Sequence, residues 1–321
     1  MSGRPALDPE LNELLASLPE FAPLSAETLP LMRPYASAAV EPLLATRDVV
    51  RREEVIAALD GSALPVTVIS PRPAGQAAPG VLWLHGGGMV MGDRFSQLDI
   101  PLEWLDALGA VVVSVDYRLA PEASGTTLVE DGFAALTWMA AHADEFGIDA
   151  DRLVVAGTSA GGGVAAGVVL LARDRSAREL GARELSVPTI AAQVLICPML
   201  DHRNETVSSH QFTAPGVWSR ESNEFAWSAV RGDAVEMSSY TSPAIAPDLS
   251  GLPQTYVDAG SAEVFRDECV DYASRIWAAG GTAELHVWSG GFHGFDALYP
   301  DAALSRAARA TRTDWLRRTI A

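Results

Sequence analysis

The apolar positions of this chain change their period along its length. Over residues 1–47, Leu7, Leu11, Leu14, Leu15 and Leu18 recur at helical spacing. Pro19 and Pro23 interrupt that pattern, and Ser25-Ala26-Glu27-Thr28 offers a capped restart ahead of Leu29, Leu31 and Met32. From residue 49 the texture is β. Residues 49–56 and 64–69 flank Asp60-Gly61-Ser62, a turn signal between two antiparallel strands, and Pro71, Pro73 and Gly75 mark a loop. The runs at 81–84 and 111–115 are continuously apolar, as in strands buried on both faces. A helix is predicted over 128–146, an apolar strand from Leu153, further strands at 190–196, 255–260 and 284–288, a helix over 265–279 and a terminal helix. Strands alternating with helices of this length predict βαβ units and a parallel sheet, an α/β fold.

Two stretches stand outside the alternation. Residues 1–47 are an amphipathic helical prelude that needs a surface to cover. Residues 201–237 mix polar, breaker and aromatic types, among them Asn204, Ser208, Pro215, Trp218, Trp227 and Gly232. An excursion of that length inside a compact α/β domain is usually a functional insertion. The division expected is 1–47 as N-terminal cap helices, 48–200 with 238–321 as the α/β domain, and 201–237 as a cap insertion. Trp218 and Trp227 read either as buried packing or as the lining of an apolar pocket.

Composition narrows the function. With 48% hydrophobic and 20% charged residues among 321, the chain is globular. Its net charge of −18 argues against nucleic-acid or anionic-membrane partners, which need clustered Lys and Arg. The apolar tract at 153–172 carries five glycines and reads as strand plus helix, not a membrane span. Met1-Ser2-Gly3-Arg4-Pro5 is followed by no apolar signal region, so a cytoplasmic location is expected. Cys197 and Cys269 lack CxxC spacing and read as buried free thiols, with no metal site expected.

The chemistry centres on Gly157-Thr158-Ser159-Ala160-Gly161, which follows a strand and opens a helix. That context makes Gly-x-Ser-x-Gly a nucleophile elbow with Ser159 at its tip. A dinucleotide fingerprint does not fit, because Gly161-Gly162-Gly163 lacks the Gly-x-Gly-x-x-Gly spacing. A second signal is His85-Gly86-Gly87-Gly88 after the strand at 81–84, where backbone N–H groups can turn into a cavity and donate to an oxyanion. His85 reads as a side chain that holds this loop, and Asp116-Tyr117-Arg118 as a hydrogen-bonded structural turn.

Four ordered motifs, His85-Gly86-Gly87-Gly88, Asp116-Tyr117-Arg118-Leu119-Ala120-Pro121-Glu122, Gly157-Thr158-Ser159-Ala160-Gly161-Gly162 and Phe292-His293-Gly294-Phe295, resemble the hormone-sensitive-lipase-like branch of α/β-hydrolases, the bacterial family IV carboxylesterases. The resemblance runs from about residue 49 to the end of the sequence. It implies an eight-stranded, mostly parallel sheet with a helical cap, and hydrolysis of short- to medium-chain carboxylic esters without a cofactor. It also implies Ser159 as nucleophile, His293 as base, and the N–H groups of Gly87, Gly88 and Ala160 as oxyanion donors. The implied partner is a small-molecule ester, with self-association left open.

Three positions depart from the family's pattern. Met89 stands where an aromatic often follows the glycines and is expected in the pocket floor. Ala123-Ser124-Gly125-Thr126 replaces His-Pro-Phe-Pro, and Glu263 occupies the place of the catalytic Asp. Glu263 is the expected acid over Asp258, held within a strand, and Asp267, in the first turn of a helix where the dipole already favours it. Amidase, lactonase or deacetylase chemistry with the same triad, or a non-catalytic ligand-binding role, are the rival readings.

Overall fold

The computed structural model describes residues 3–18, 22–37, 39–73, 77–179, 187–213 and 216–320. Pro19, Gly75 and Pro215, expected to break local structure, lie outside the described residues. Eight strands form one sheet: β1 (Val49–Ala57), β2 (Ala63–Pro71), β3 (Ala78–Leu84), β4 (Val111–Val115), β5 (Ile148–Thr158), β6 (Ala192–Ile196), β7 (Gln254–Ala262) and β8 (Ala283–Phe292). Their spatial order is β1-β2-β4-β3-β5-β6-β7-β8. β2 runs antiparallel to both β1 and β4, and every other pairing is parallel.

Helices cover both faces because the central strands are apolar on both. β3 and β4 are buried at every position. On one side, Leu82, Val113, Val155, Leu195 and Val257 pack with the helices Thr127–Ala141, Ala160–Glu179 and Arg266–Ala278. On the other, Val81, Trp83, Val112, Val154 and Val194 pack with Asp99–Leu108 and the terminal helix Ala303–Thr319. The helix expected over 128–146 ends at Ala141 and restarts as Ala143–Phe146, with Gly147 left-handed at its end. Asp99–Leu108 is an element that the sequence reading passed over. Among the described residues, no helix is long and apolar enough to cross a membrane.

The prelude is less continuously helical than its leucines suggest, because prolines divide it. It forms Pro9–Ala16, capped by the Asp8 carboxylate, then Leu29–Met32, the 3₁₀ turn Arg33–Tyr35 and Val40–Leu44. Leu11 packs with Phe292 and Phe295 in a small third core. Alongside, the Asp8 N–H donates to Gly290 O, Tyr299 Oη donates to Leu14 O at 2.7 Å, and the Ala303 N–H donates to Glu10 at 2.8 Å. Residues 201–237 hold two helices, Val207–Gln211 and Arg220–Arg231, capped by Thr206 and Ser219. The prelude touches this segment: Arg4 donates to Thr213 O, Gln211 to Gly3 O, and the Leu24 N–H to Ser222 Oγ.

Candidate active site

Ser159 sits between β5 and the helix Ala160–Glu179 at φ 55°, in the left-handed region that a non-glycine occupies only under constraint. The constraint comes from backbone on both sides. Its N–H donates to Ile196 O at 2.7 Å, and its carbonyl accepts from Met199 at 2.9 Å and Gly163 at 3.1 Å. The strand and helix pass so closely that a Cβ on Gly157 would lie 2.2 Å from Gly161 O, and one on Gly161 would lie 2.0 Å from Leu84 O. Only glycine fits at either place.

The Ser159 hydroxyl meets His293 Nε2 at 2.9 Å, and His293 Nδ1 meets Glu263 Oε2 at 2.5 Å. The Gly260 N–H donates to the other carboxylate oxygen at 2.6 Å, so both Glu263 oxygens are held. With its Nδ1–H donating to the carboxylate, the ring presents the Nε2 lone pair to the hydroxyl. The edge of Phe265 abuts the imidazole at 5.0 Å between centroids. Glu263 is 1% exposed, His293 8% and Ser159 9%, a gradient that runs from the core to a cavity.

The other two carboxylates are engaged elsewhere. Asp258 accepts from Arg312 Nε at 2.7 Å and Trp288 Nε1 at 3.2 Å. Asp267 accepts from the Ser208 N–H at 2.7 Å and Arg266 Nε at 2.7 Å; burial pushes its carboxyl up, but these donors hold it below the usual range.

Beside the elbow, Gly87 (φ 118°) and Gly88 (φ 64°) carry the loop after β3. Among the described residues, no protein group accepts from the N–H of Gly87, Gly88 or Ala160. Side chains fix the loop: His85, read from the sequence in that role, and Gln97 and Tyr117, which the sequence did not signal. Gln97 Oε1 accepts the Gly86 N–H at 2.9 Å, and Tyr117 Oη donates to His85 O at 2.6 Å. The His85 ring stacks on Tyr117 at 4.2 Å, and its Nδ1 bonds Gly86 O at 2.7 Å. Burial pushes the His85 imidazole below its ordinary pKa, so it stays neutral inside the loop. The turn beyond is tied down as well: Arg118 bonds Asp131 through its N–H, Nε and Nη2, and Arg94 bonds Asp116.

A cavity of about 420 Å³ opens on Ser159 and His293. Its lining combines Gly86, Gly87, Gly88, Ser96, Gln97 and Asp99 with Tyr35, Met91, Val217, Trp218, Ala297 and Leu298. Trp218 is in its lining, but Met89 and Trp227 are not. Met89, at φ 62°, turns its side chain into the core toward Gly163 and is 1% exposed. Trp227 lies on the inner face of Arg220–Arg231 with Asn223, Ala226 and Val230, and borders a separate cavity with His202 and Arg231. Cys197 and Cys269 are free and buried; burial pushes both thiols well up, which keeps them protonated.

Residues 81–297 match the alpha/beta hydrolase fold family. The esterase LipI of Mycobacterium tuberculosis is 33% identical over 242 residues, 74% of this chain and 73% of its own length. Among solved structures, a bacterial heroin esterase is 37% identical, with TM-score 0.88 over 98% of each chain. The esterase LipW from Mycobacterium marinum is 31% identical, with TM-score 0.86 over 99% of this chain and 98% of its own. The chain belongs to the alpha/beta hydrolase fold family, in its hormone-sensitive-lipase-like branch, and is an enzyme of the carboxylesterase class.

Proposed function

We propose that Ser159, His293 and Glu263 are a catalytic triad that hydrolyses small carboxylic esters by two-step acyl transfer. His293 takes the Ser159 proton as Oγ attacks the ester carbonyl, and Glu263 stabilises the imidazolium that forms. The N–H groups of Gly87, Gly88 and Ala160 receive the oxyanion, and His293 then protonates the leaving alcohol. Water repeats the cycle on the acyl-enzyme. The observation that supports this best is the unbroken chain from Ser159 Oγ through His293 to Glu263, opening on a cavity beside three unpartnered N–H groups.

Short to medium acyl chains suit the cavity, whose volume is at the small end of the range for ligand pockets. Trp218 is its proposed apolar wall, with residues 1–47 and 201–237 as one cap. The contacts of Arg4, Gln211 and Leu24 across those two segments support that reading.

The test is turnover of p-nitrophenyl esters of increasing chain length by the wild type and Ser159→Ala. The alanine variant should fold and lose roughly 10⁶-fold in kcat. Retention of a tenth of the rate would remove Ser159 as nucleophile. A wild type inert on every ester but active on amides or lactones would move the assignment to those reactions. Deleting residues 1–47 should alter acyl preference more than it alters the reaction of Ser159 with a small organophosphorus probe.

A further inference from the structure

Next to the triad lies a buried ionic cluster that the proposed reaction does not use, one member of which, Asp99, reaches the cavity lining. Arg309 and Arg312 stand one turn apart on the terminal helix and so present the same face to the sheet. Arg312 is 1% exposed. Its Nε donates to Asp258 Oδ2 at 2.7 Å, and its Nη1 donates to Asp296 Oδ2 at 2.6 Å. Both carboxylates are 2% exposed or less. Arg309 extends the cluster, bonding Glu103 and Asp99 at 2.6 Å each and the Asp296 carbonyl at 2.9 Å.

The places of these carboxylates in the chain give the cluster its meaning. Asp258 lies on β7, two residues before Gly260, whose N–H holds Glu263. The Asp258 carbonyl also accepts the Cys197 N–H at 2.7 Å, which ties β7 to the segment after β6. Asp296 lies three residues after His293, in the short helix Phe295–Leu298 that follows left-handed Gly294. One guanidinium therefore joins the strand that leads to the acid with the turn that carries the base. The imidazole is gripped at Nδ1 and along its ring, but where its backbone sits depends on this turn, and a four-residue helix cannot fix itself.

We propose that Arg312 is a positioning residue for His293, acting through Asp296 on one side and Asp258 on the other. This rests on the triad reading given above. A guanidinium suits the task because its planar fork reaches two carboxylates in fixed directions, whereas an ammonium is a single point charge. A misplacement of the base on the order of 1 Å is enough to cost about 10²-fold in rate. The alternative is that Arg312 only anchors the terminal helix, in which case activity follows folding and nothing else.

The experiment compares wild type, Arg312→Lys, Asp296→Asn and the charge-free triple variant Asp258→Asn/Asp296→Asn/Arg312→Met, with Ser159→Ala alongside. The triple variant leaves no unpaired charge from this bridge, the arrangement in which loss of a buried ionic group is best tolerated. For each, kcat and KM on p-nitrophenyl acetate are measured beside the folded fraction from circular dichroism, and the downfield proton resonance of His293 Nδ1–H is recorded. The expected result for Arg312→Lys and the triple variant is a kcat per folded molecule lower by about 10- to 100-fold, with KM nearly unchanged and the resonance shifted or broadened. If activity falls only in proportion to the folded fraction in every variant, or a folded Arg312→Lys keeps the wild-type kcat and resonance, Arg312 is an anchor and the proposal is wrong. An active Ser159→Ala would instead overturn the triad reading itself.

Discussion

Two turns border the Ser159 hydroxyl, and they are held by different means. The elbow puts a single non-glycine residue at φ 55° and fixes it almost wholly with backbone: Ile196 O, the Met199 and Gly163 N–H groups, and the close pass of Gly157 and Gly161. The loop after β3 does the reverse. Gly87 and Gly88 make its backbone permissive, and side chains restore the order: Gln97 beneath Gly86, Tyr117 beneath the His85 carbonyl, and the His85 ring folded back onto Gly86. A turn braced by backbone tolerates almost no change at its contacts and fails as a unit. A turn braced by side chains can be loosened one strut at a time, so its placement can be altered while the fold survives.

Gly161→Ala is the harshest way to break that contrast. The new Cβ would stand 2.0 Å from Leu84 O and 2.4 Å from His85 O, and neither backbone atom can move aside. A loss of about 4 kcal/mol or more is expected, read in urea denaturation or as absence of folded protein. Gly88→Ala should be gentler on the fold and hard on the rate. Its φ of 64° costs an alanine about 1–2 kcal/mol, and its Cβ would stand 2.2 Å from the Trp218 indole, which must move aside. Alanine keeps the Gly88 N–H but displaces it; if that N–H is an oxyanion donor, a shift on the order of 1 Å lowers kcat by about 10²-fold with the melting curve still cooperative. A rate near wild type would take Gly88 out of that role.

Single struts come next. Tyr117→Phe leaves the buried His85 carbonyl without its donor and should cost about 1–3 kcal/mol in a denaturant midpoint. Gln97→Ala frees the Gly86 N–H and should reduce kcat about fivefold, the worth of a hydrogen bond of about 1 kcal/mol felt at the loop. The smallest effect is one of pH. Burial holds His85 below its ordinary 6.5, so as pH falls the unfolded chain takes up a proton that the folded chain refuses. Wild-type stability should therefore fall between pH 7 and pH 6, by at most ~0.7 kcal/mol from this group, and His85→Asn should remove that share of the slope. Equal slopes in the two proteins would show that His85 is protonated within the fold.

The elements that the sequence made legible are those whose signal is local. The runs at 81–84 and 111–115 are apolar throughout because both faces of those strands are covered, and the elbow shows because its glycines stand at fixed spacing around Ser159, although what excludes a side chain at Gly161 is Leu84 O, far along the chain. Glu263 was named from its place in a motif, and its carboxylate bonds His293 Nδ1. The helix Asp99–Leu108 escaped because Pro101 sits among its apolar residues and reads as a breaker, although proline is tolerated in a first helical turn. Met89 was read from its place after the glycines, and Trp227 by residue type alone. Spacing carried more than type for Trp227, since Asn223, Ala226 and Val230 mark the inner face of its helix. Arg312 gave no sign at all, because its two partners lie 54 and 16 residues away and only the fold brings them together.

The seam between Pro9–Ala16 and the last third of the chain has a consequence for the order of assembly on the ribosome. Tyr299 and Leu14, bonded side by side, are 285 residues apart, so this helix is made well before its docking surface. At about 5–20 residues per second, Leu11, Leu14 and Leu15 wait roughly 15–60 s for Phe292, Phe295 and Tyr299 to exist. During that interval the start of the chain is an adhesive strip without its landing place, exposed to other nascent chains and to holdase chaperones. Its docking waits until the strands between the two partners have been made.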